Sequence, residues 1–334
     1  MAVPEIKTTV VGSYPIPSWL ATSSSRTALE DAVMVVFQTQ ELAGIDVVVD
    51  GELYRFDVNH PETNGMIDYF IGQMDGIDTE ISRADWQAFQ SQAGMGYRAM
   101  PAGVVNAGLG EGTLNLPKDF GFVQPLTDAP LKFTLTGPHM LAKVLVDNHY
   151  NYTPALAMAI AEILRKQVET IDADVIQIDE ANVSGNPSEG PWAAEAINHV
   201  LDGAKGEKAV HVCFGNYGGQ RVQDGLWDDL MPFLSALHTD HLVLEFARRG
   251  YEELPSLKNL PQEIGVGLGV IDIKDNEIET PDTIARRLEN AVSTLGDGRV
   301  KYIHPDCGFW MLPRSVADGK MRALVAGRDR YLGI

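Results

Sequence analysis

The stretch that decides the fold is ADVIQIDEANVSGNPSEGPWAAEAINHVLDGAKGEKAVHVCFG, residues 173–215. It opens on an apolar run ending in Asp179-Glu180, passes through a helical segment at 191–203, and returns to a second apolar run, KAVHVCFG. Both runs are nearly all apolar, without a regular alternation of polar residues. A strand of that kind is covered on both faces, which points to parallel pairing through a helical crossover.

The same unit recurs outward. Upstream, KTTVVGS (7–13) reads as a strand, Thr27 to Ala43 as a helix and IDVVVDGE (45–52) as a second strand. Thr27 and Glu30 are spaced as a capping box, and Gly44 is the stop signal. KFTLTGP (132–138) is a third strand, and Thr153-Pro154 opens the next helix. Downstream come a helix over 224–237 and strands DHLVLEF (240–246) and EIGVGLGVID (263–272). A helix from Thr280-Pro281, the strand RVKYIHPDCG (299–308) and a helix from about Pro313 complete the chain. Eight such strands predict an α/β fold, a (β/α)8 TIM barrel, as a single catalytic domain over 1–334. A doubly wound open sheet is the competing reading. VGSYPIPS after the first strand lacks the glycines of its phosphate cradle. Residues 53–130 show no clear alternation and read as an elaborated connection between strands two and three that caps one face. GLGEG at 108–112 has no helix after it, so it is not read as a phosphate loop.

Composition narrows the function. The 334 residues are 45% hydrophobic, enough for a sizeable core, and carry a net charge of −20. That charge excludes nucleic acid as an expected partner and disfavours anionic membranes. No apolar run reaches the length of a spanning helix, and the N-terminus lacks the pattern of a secretory signal. Two cysteines far apart make no disulfide framework, so a cytoplasmic setting is expected.

In a barrel, chemistry gathers at the C-terminal ends of the strands. Here those ends carry Gly12-Ser13, Asp50-Gly51-Glu52, Asp179-Glu180, His211-Val212-Cys213, Glu245, Asp272 with Lys274, and Cys307. Residues i and i+2 on a strand point the same way, so His211 and Cys213 can reach one metal ion. Cys307 from the eighth strand would be a third ligand and an oxygen of Glu245 a fourth, a donor set that suits tetrahedral zinc. Buried inert thiols and solvated strand ends are the competing reading. Two thiolates and a carboxylate around zinc make an electron-rich site, better suited to holding a substrate thiol as a nucleophile than to activating water.

At this point the motifs TTVVGSYP, DVVVDGELYRFD, LTGP, DVIQIDEAN, HVCFGNY, VLEFARR and HPDCGF resemble, in order and rough spacing, the catalytic C-terminal barrel of cobalamin-independent methionine synthase. The resemblance covers about residues 5 to 325. It implies zinc as cofactor, held by His211, Cys213, Glu245 and Cys307, and homocysteine held by Val11-Gly12-Ser13, Glu52 and Asp179. Two carboxylates suit the ammonium of an amino acid, and backbone N–H groups with Ser13 suit its carboxylate.

The chain also departs from that pattern. The family's long enzymes have an additional N-terminal half without a counterpart here. Its folate-stacking tryptophan falls near Val144, and its pterin-binding glutamate near Gly185, with Glu189 as an unaligned substitute. Its proton-donating histidine falls on Lys274, which either protonates a leaving group, binds an anion, or is a solvated loop lysine. Asp272 is grouped with Lys274 as catalytic. Arg55 and Arg314 are candidate anion partners, and Trp19, Tyr97, Phe214 and Trp310 candidate walls of an electrophile pocket.

The expected activity is therefore zinc-dependent methyl transfer to a small-molecule thiol, homocysteine first. The donor is expected to differ from methyltetrahydrofolate polyglutamate: a small alkylated molecule or a methylcorrinoid protein. A homo-oligomer is compatible with this reading. Three alternatives stay open: alkylation of another thiol such as coenzyme M, a metal-free decarboxylase on a related barrel, and a binding protein in which zinc is a structural staple.

Overall fold

The structure is a computed structural model, and it describes residues 5–23, 25–57, 59–60, 63–91, 98–215 and 223–334. Its strands, in chain order, are β1 Lys7–Thr8, β2 Val48–Val49, β3 Asp75–Asp78, β4 Gly103–Gly110, β5 Leu131–Thr136, β6 Leu145–Asp147, β7 Val175–Glu180, β8 Glu207–Val212, β9 His241–Leu244, β10 Gly265–Ile271 and β11 Val300–Pro305.

Eight of them form one parallel sheet in the order β1-β11-β10-β9-β8-β7-β5-β2. A parallel bridge between Thr9 and Val47 joins its two ends. The sheet is thereby closed into the barrel that the continuous apolar runs predict. The strands at the seam are shorter than expected, two residues each in β1 and β2, because the backbone leaves the ladder early to form the pocket rim.

The helices form the outer layer. Helix Arg26–Ala43 buries Ala32, Val33, Val36, Phe37 and Gln40. These recur at i, i+1, i+4, i+5 and i+8, one face of an α-helix, and burying an aromatic such as Phe37 contributes about 2 kcal/mol. Its N-cap is Ser25, whose side chain accepts from the Ala28 N–H, and not the expected Thr27. Gly44 ends it in the left-handed conformation at φ 84°. Helix Arg314–Leu332 packs back onto Arg26–Ala43 and closes the outer ring.

The stretch 53–130, read as an elaborated connection, holds a helix at Arg83–Gln90 and strands of a second sheet. β3 and β4 pair antiparallel, and β6 adds parallel to β4, in a separate three-stranded sheet. GLGEG begins inside the long strand β4, and, contrary to the sequence reading, a helix does follow it, at Leu116–Val123. Gly103 is there for close approach, since a Cβ would meet the Ile77 side chain at 2.5 Å. No helix among the described residues is long and apolar enough to cross a membrane.

Candidate active site

The strand ends bring the predicted groups to one mouth of the barrel. β8 ends in His211-Val212, with Cys213 just beyond, and the turn after β11 carries Cys307. One nitrogen of His211 and the two sulfurs lie within 4.8 Å of one another. His211 Nδ1 is 2.9 Å from the Val243 carbonyl, an acceptor, so Nδ1 carries the proton. Its Nε2 is buried beside the two sulfurs with no protein hydrogen-bond partner.

The electrostatics of the cluster are those of three groups sharing protons. Cys307 is held well below the usual thiol range, first by the Cys213 thiol and then by His211, against its own burial. Cys213 is pushed well above that range by Cys307 and by burial. Burial opposes charge on His211, but Cys307 beside it raises its pKa to about 9. A nitrogen and two sulfurs converging in a dry pocket fit a soft or borderline divalent ion, which would displace those protons.

Glu245, at the end of β9, is buried but does not join the other three within that distance. Its Oε2 accepts from the Phe214 N–H at 3.2 Å, and its Oε1 lies 3.4 Å from Lys274 Nζ. Lys274 also donates to the Gly215 carbonyl at 3.3 Å. The register between β9 and the Cys307 turn is fixed by Asp306. Its buried carboxylate accepts the N–H groups of Phe246, Ala247 and Arg248 at 3.0, 2.8 and 2.7 Å. The sequence reading gave Asp306 no role. Its signal was a carboxylate inside an otherwise apolar strand end.

Beside the cluster lies the second group of predicted residues. Glu52 stands at φ 60°, a left-handed conformation that costs a non-glycine residue about 1 kcal/mol. Its Oε1 accepts from Thr134 Oγ1 at 2.5 Å and lies 3.3 Å from Arg55 Nη1. Gly12 makes room for it: a Cβ there would meet Glu52 Oε1 at 2.3 Å. Asp179 Oδ1 accepts from Gln177 Nε2 at 2.7 Å. Burial pushes the Asp179 carboxyl up to about 7, with Glu52 adding and His211 opposing. Ser13 meets the Cys307 turn directly, since a Cβ on Gly308 would fall 2.0 Å from Ser13 Oγ.

A pocket enclosing about 840 Å³, its open mouth included, is lined by Val11, Gly12, Ser13, Glu52, Asp179, His211, Cys213 and Cys307 together. Asn64, Met66 and Arg98 supply a wall from the 53–130 segment, and Met140, Val144, Gln223 and Trp310 supply another.

The sequence profile described as cobalamin-independent synthase, catalytic domain, matches residues 6–327. The chain belongs to the cobalamin-independent synthase family. It is 29% identical to a methionine synthase from Sulfurisphaera tokodaii, over 97% of this chain and 92% of that one. It is equally 29% identical to a methionine synthase from Pyrococcus abyssi, over 97% and 92%. A solved B12-independent methionine synthase from Shewanella sp. W3-18-1, in complex with selenomethionine, superposes with a TM-score of 0.80 at 25% identity. That superposition covers 99% of this chain and 100% of the other.

Within the synthase family's barrel, the remaining expected residues separate into those that reach the pocket and those that do not. Val144 and Trp310 line it. Gly185 leaves its space to Gln223, whose Oε1 lies 1.8 Å from where a Cβ would be. Glu189 faces a different cavity and is bound by His139 at 2.9 Å and Lys143 at 2.7 Å. Asp272 does not face the pocket: it accepts from the Lys274 N–H at 2.8 Å and pairs with Arg248 at 3.2 Å, which makes it a turn residue. Arg55 is buried and committed to Glu52 and Thr134, so it is no anchor for an external anion. Arg314 lies over the Trp19 ring at 5.6 Å. Phe214 packs in the core against Trp227. Tyr97 lies outside the described residues.

Proposed function

We propose that the protein is a zinc-dependent methyltransferase that acts on the thiol of homocysteine and takes the methyl group from a donor other than methyltetrahydrofolate polyglutamate. The observation that carries this reading is a single pocket holding two unlike subsites. On one side stand His211, Cys213 and Cys307; on the other stand Glu52 and Asp179 with the Val11-Gly12-Ser13 stretch. His211, Cys213 and Cys307 would hold the zinc, with Glu245 as fourth ligand once its Oε1 turns from Lys274. Bound zinc would supply the Lewis acidity that keeps a coordinated substrate thiol ionised at neutral pH.

The chain's own residues do the rest. Glu52 and Asp179 bind the substrate ammonium, and ionised Asp179 binds it best. Ser13 and its neighbouring backbone receive the carboxylate. The thiol carbon chain between them spans toward the sulfur cluster, which sets the distance from ammonium to thiol. Lys274, within reach of Glu245 and Gly215, holds the Glu245 carboxylate.

The donor side supports the second half of the proposal. Val144 puts an aliphatic side chain where the resemblance places a stacking tryptophan, and Gln223 fills the space beside Gly185 where it places a glutamate. The donor is a smaller alkylated molecule or a methylcorrinoid protein. Candidate ligands drawn from three separate strands at the barrel mouth also argue against a structural staple, whose ligands are usually local.

The test is X-ray absorption at the zinc edge on zinc-loaded protein. Adding homocysteine is expected to bring a further sulfur into the coordination sphere. A response to coenzyme M alone would replace homocysteine with another thiol, and no response to either would overturn the reading.

A further inference from the structure

One charged side chain in the barrel interior has no part in the site described so far. Lys132 lies in β5, within the fully buried run LKFTLT, and is 1% exposed. A lysine ammonium is costly to bury, so its position calls for a specific partner. That partner is Gln177 on β7, whose Oε1 receives Lys132 Nζ at 2.7 Å. The Gln177 amide is itself fully buried. Its Nε2 donates in two directions, to Asp179 Oδ1 at 2.7 Å and to the Val11 carbonyl at 2.9 Å.

The orientation of this amide is dictated by its neighbours. The Val11 carbonyl accepts in every state, and Lys132, although burial lowers its pKa to about 7, only donates while it is charged. Turned over, the amide would set its N–H groups against the ammonium and its oxygen against the Val11 carbonyl. Lys132 therefore locks Gln177, and Gln177 fixes one oxygen of Asp179 and the backbone of Val11 at once. The two structures it fixes are the two halves of the amino-acid subsite.

We propose that Lys132, acting through Gln177, is a positioning residue that sets selectivity for thiols bearing an α-amino group. It touches neither substrate nor metal. It holds Asp179 so that its second oxygen is turned to the incoming ammonium, and it holds the Val11-Gly12-Ser13 backbone at a fixed distance from that oxygen. The proposal rests on the homocysteine reading above.

Calorimetric binding of two thiols to zinc-loaded protein tests it: homocysteine, and 4-mercaptobutanoate, which has the same chain and carboxylate but no ammonium. In Lys132→Met, homocysteine affinity is expected to fall about tenfold, the scale of one charge-assisted hydrogen bond. Binding of 4-mercaptobutanoate is expected to stay within about twofold, within the few tenths of a kcal/mol seen for independent sites. Gln177→Leu keeps the lysine but removes the two Gln177 donors to Asp179 and Val11, and it must give the same loss of preference. If either variant fails to fold, the other decides.

Equal weakening of both thiols in the variants would mean a structural role and overturn the proposal, as would unchanged homocysteine binding. Wild-type protein that binds neither thiol would overturn the homocysteine reading and this proposal with it, an outcome distinct from a wild type that binds homocysteine and variants that bind it as well.

Discussion

His139 offers a perturbation whose size follows from the structure. Its ring is buried between two carboxylates, with Nδ1 3.1 Å from Glu180 and Nε2 2.9 Å from Glu189. Burial opposes its charge, but the two carboxylates prevail and raise its pKa from 6.5 to about 9. The folded protein thus holds a proton that the unfolded chain gives up earlier. Stability from this site is fully present below about pH 6.5 and is lost as pH rises through about 9. A shift of that size corresponds to about 3 kcal/mol, with the half-buried Glu189 contributing less than Glu180 because solvent screens it. For a chain of 334 residues this amounts to a melting-point difference of about 4 °C, at roughly 2 cal/mol/K per residue of unfolding entropy. Calorimetric melting of His139→Gln against wild type from pH 6 to pH 9.5 measures it. The variant should melt lower at pH 6 and converge on wild type above pH 9. A deficit that is constant across the range, or that widens with pH, would refute the reasoning.

Four further outcomes are expected. Cys307→Ser should lose most of its zinc, because one of the three converging donors is gone; metal analysis after dialysis reads it, and full retention would overturn the ligand assignment. Asp179→Asn should weaken homocysteine binding by about ten- to a hundredfold, the range for a hydrogen bond to a charged group, and titration calorimetry would show it. Gly308→Ala should also weaken that binding while zinc content holds, since its Cβ would fall 2.0 Å from Ser13 Oγ. Methyltetrahydrofolate triglutamate should give no methionine above background in a donor assay, and turnover with it would sink the reading of Val144 and Gly185.

Much of the barrel was legible from sequence because its signals are local and repeated. A strand covered on both faces must be mostly apolar: β10 is so throughout, and β7 and β8 carry the buried apolar runs Val175-Ile176 with Ile178 and Ala209-Val210 with Val212. Helix starts and stops were legible where a side chain or glycine decides them, as at Thr280 and Gly44. They were not at Ser25, where two hydroxyl residues compete within three positions and only the helix axis chooses. The sheet of β3, β4 and β6 was missed because β4 is glycine-rich: it lacks the β-branched alternation that marks a strand, and its pairing partners are far away in sequence.

The site divides in the same way. The sequence by itself determined which residues end strands, and the i, i+2 geometry of a strand was enough to aim His211 and Cys213 together. Only the tertiary structure decided what each strand end faces. Barrel closure set Cys307 beside Cys213 across nearly a hundred residues. It placed Asp272 in a turn, committed Arg55 to Glu52, and turned Glu189 toward His139 and a separate cavity. It also assembled Lys132, Gln177 and Asp179 into one chain of contacts. Those outcomes depend on distances between distant strands, and no local pattern of residues carries a distance.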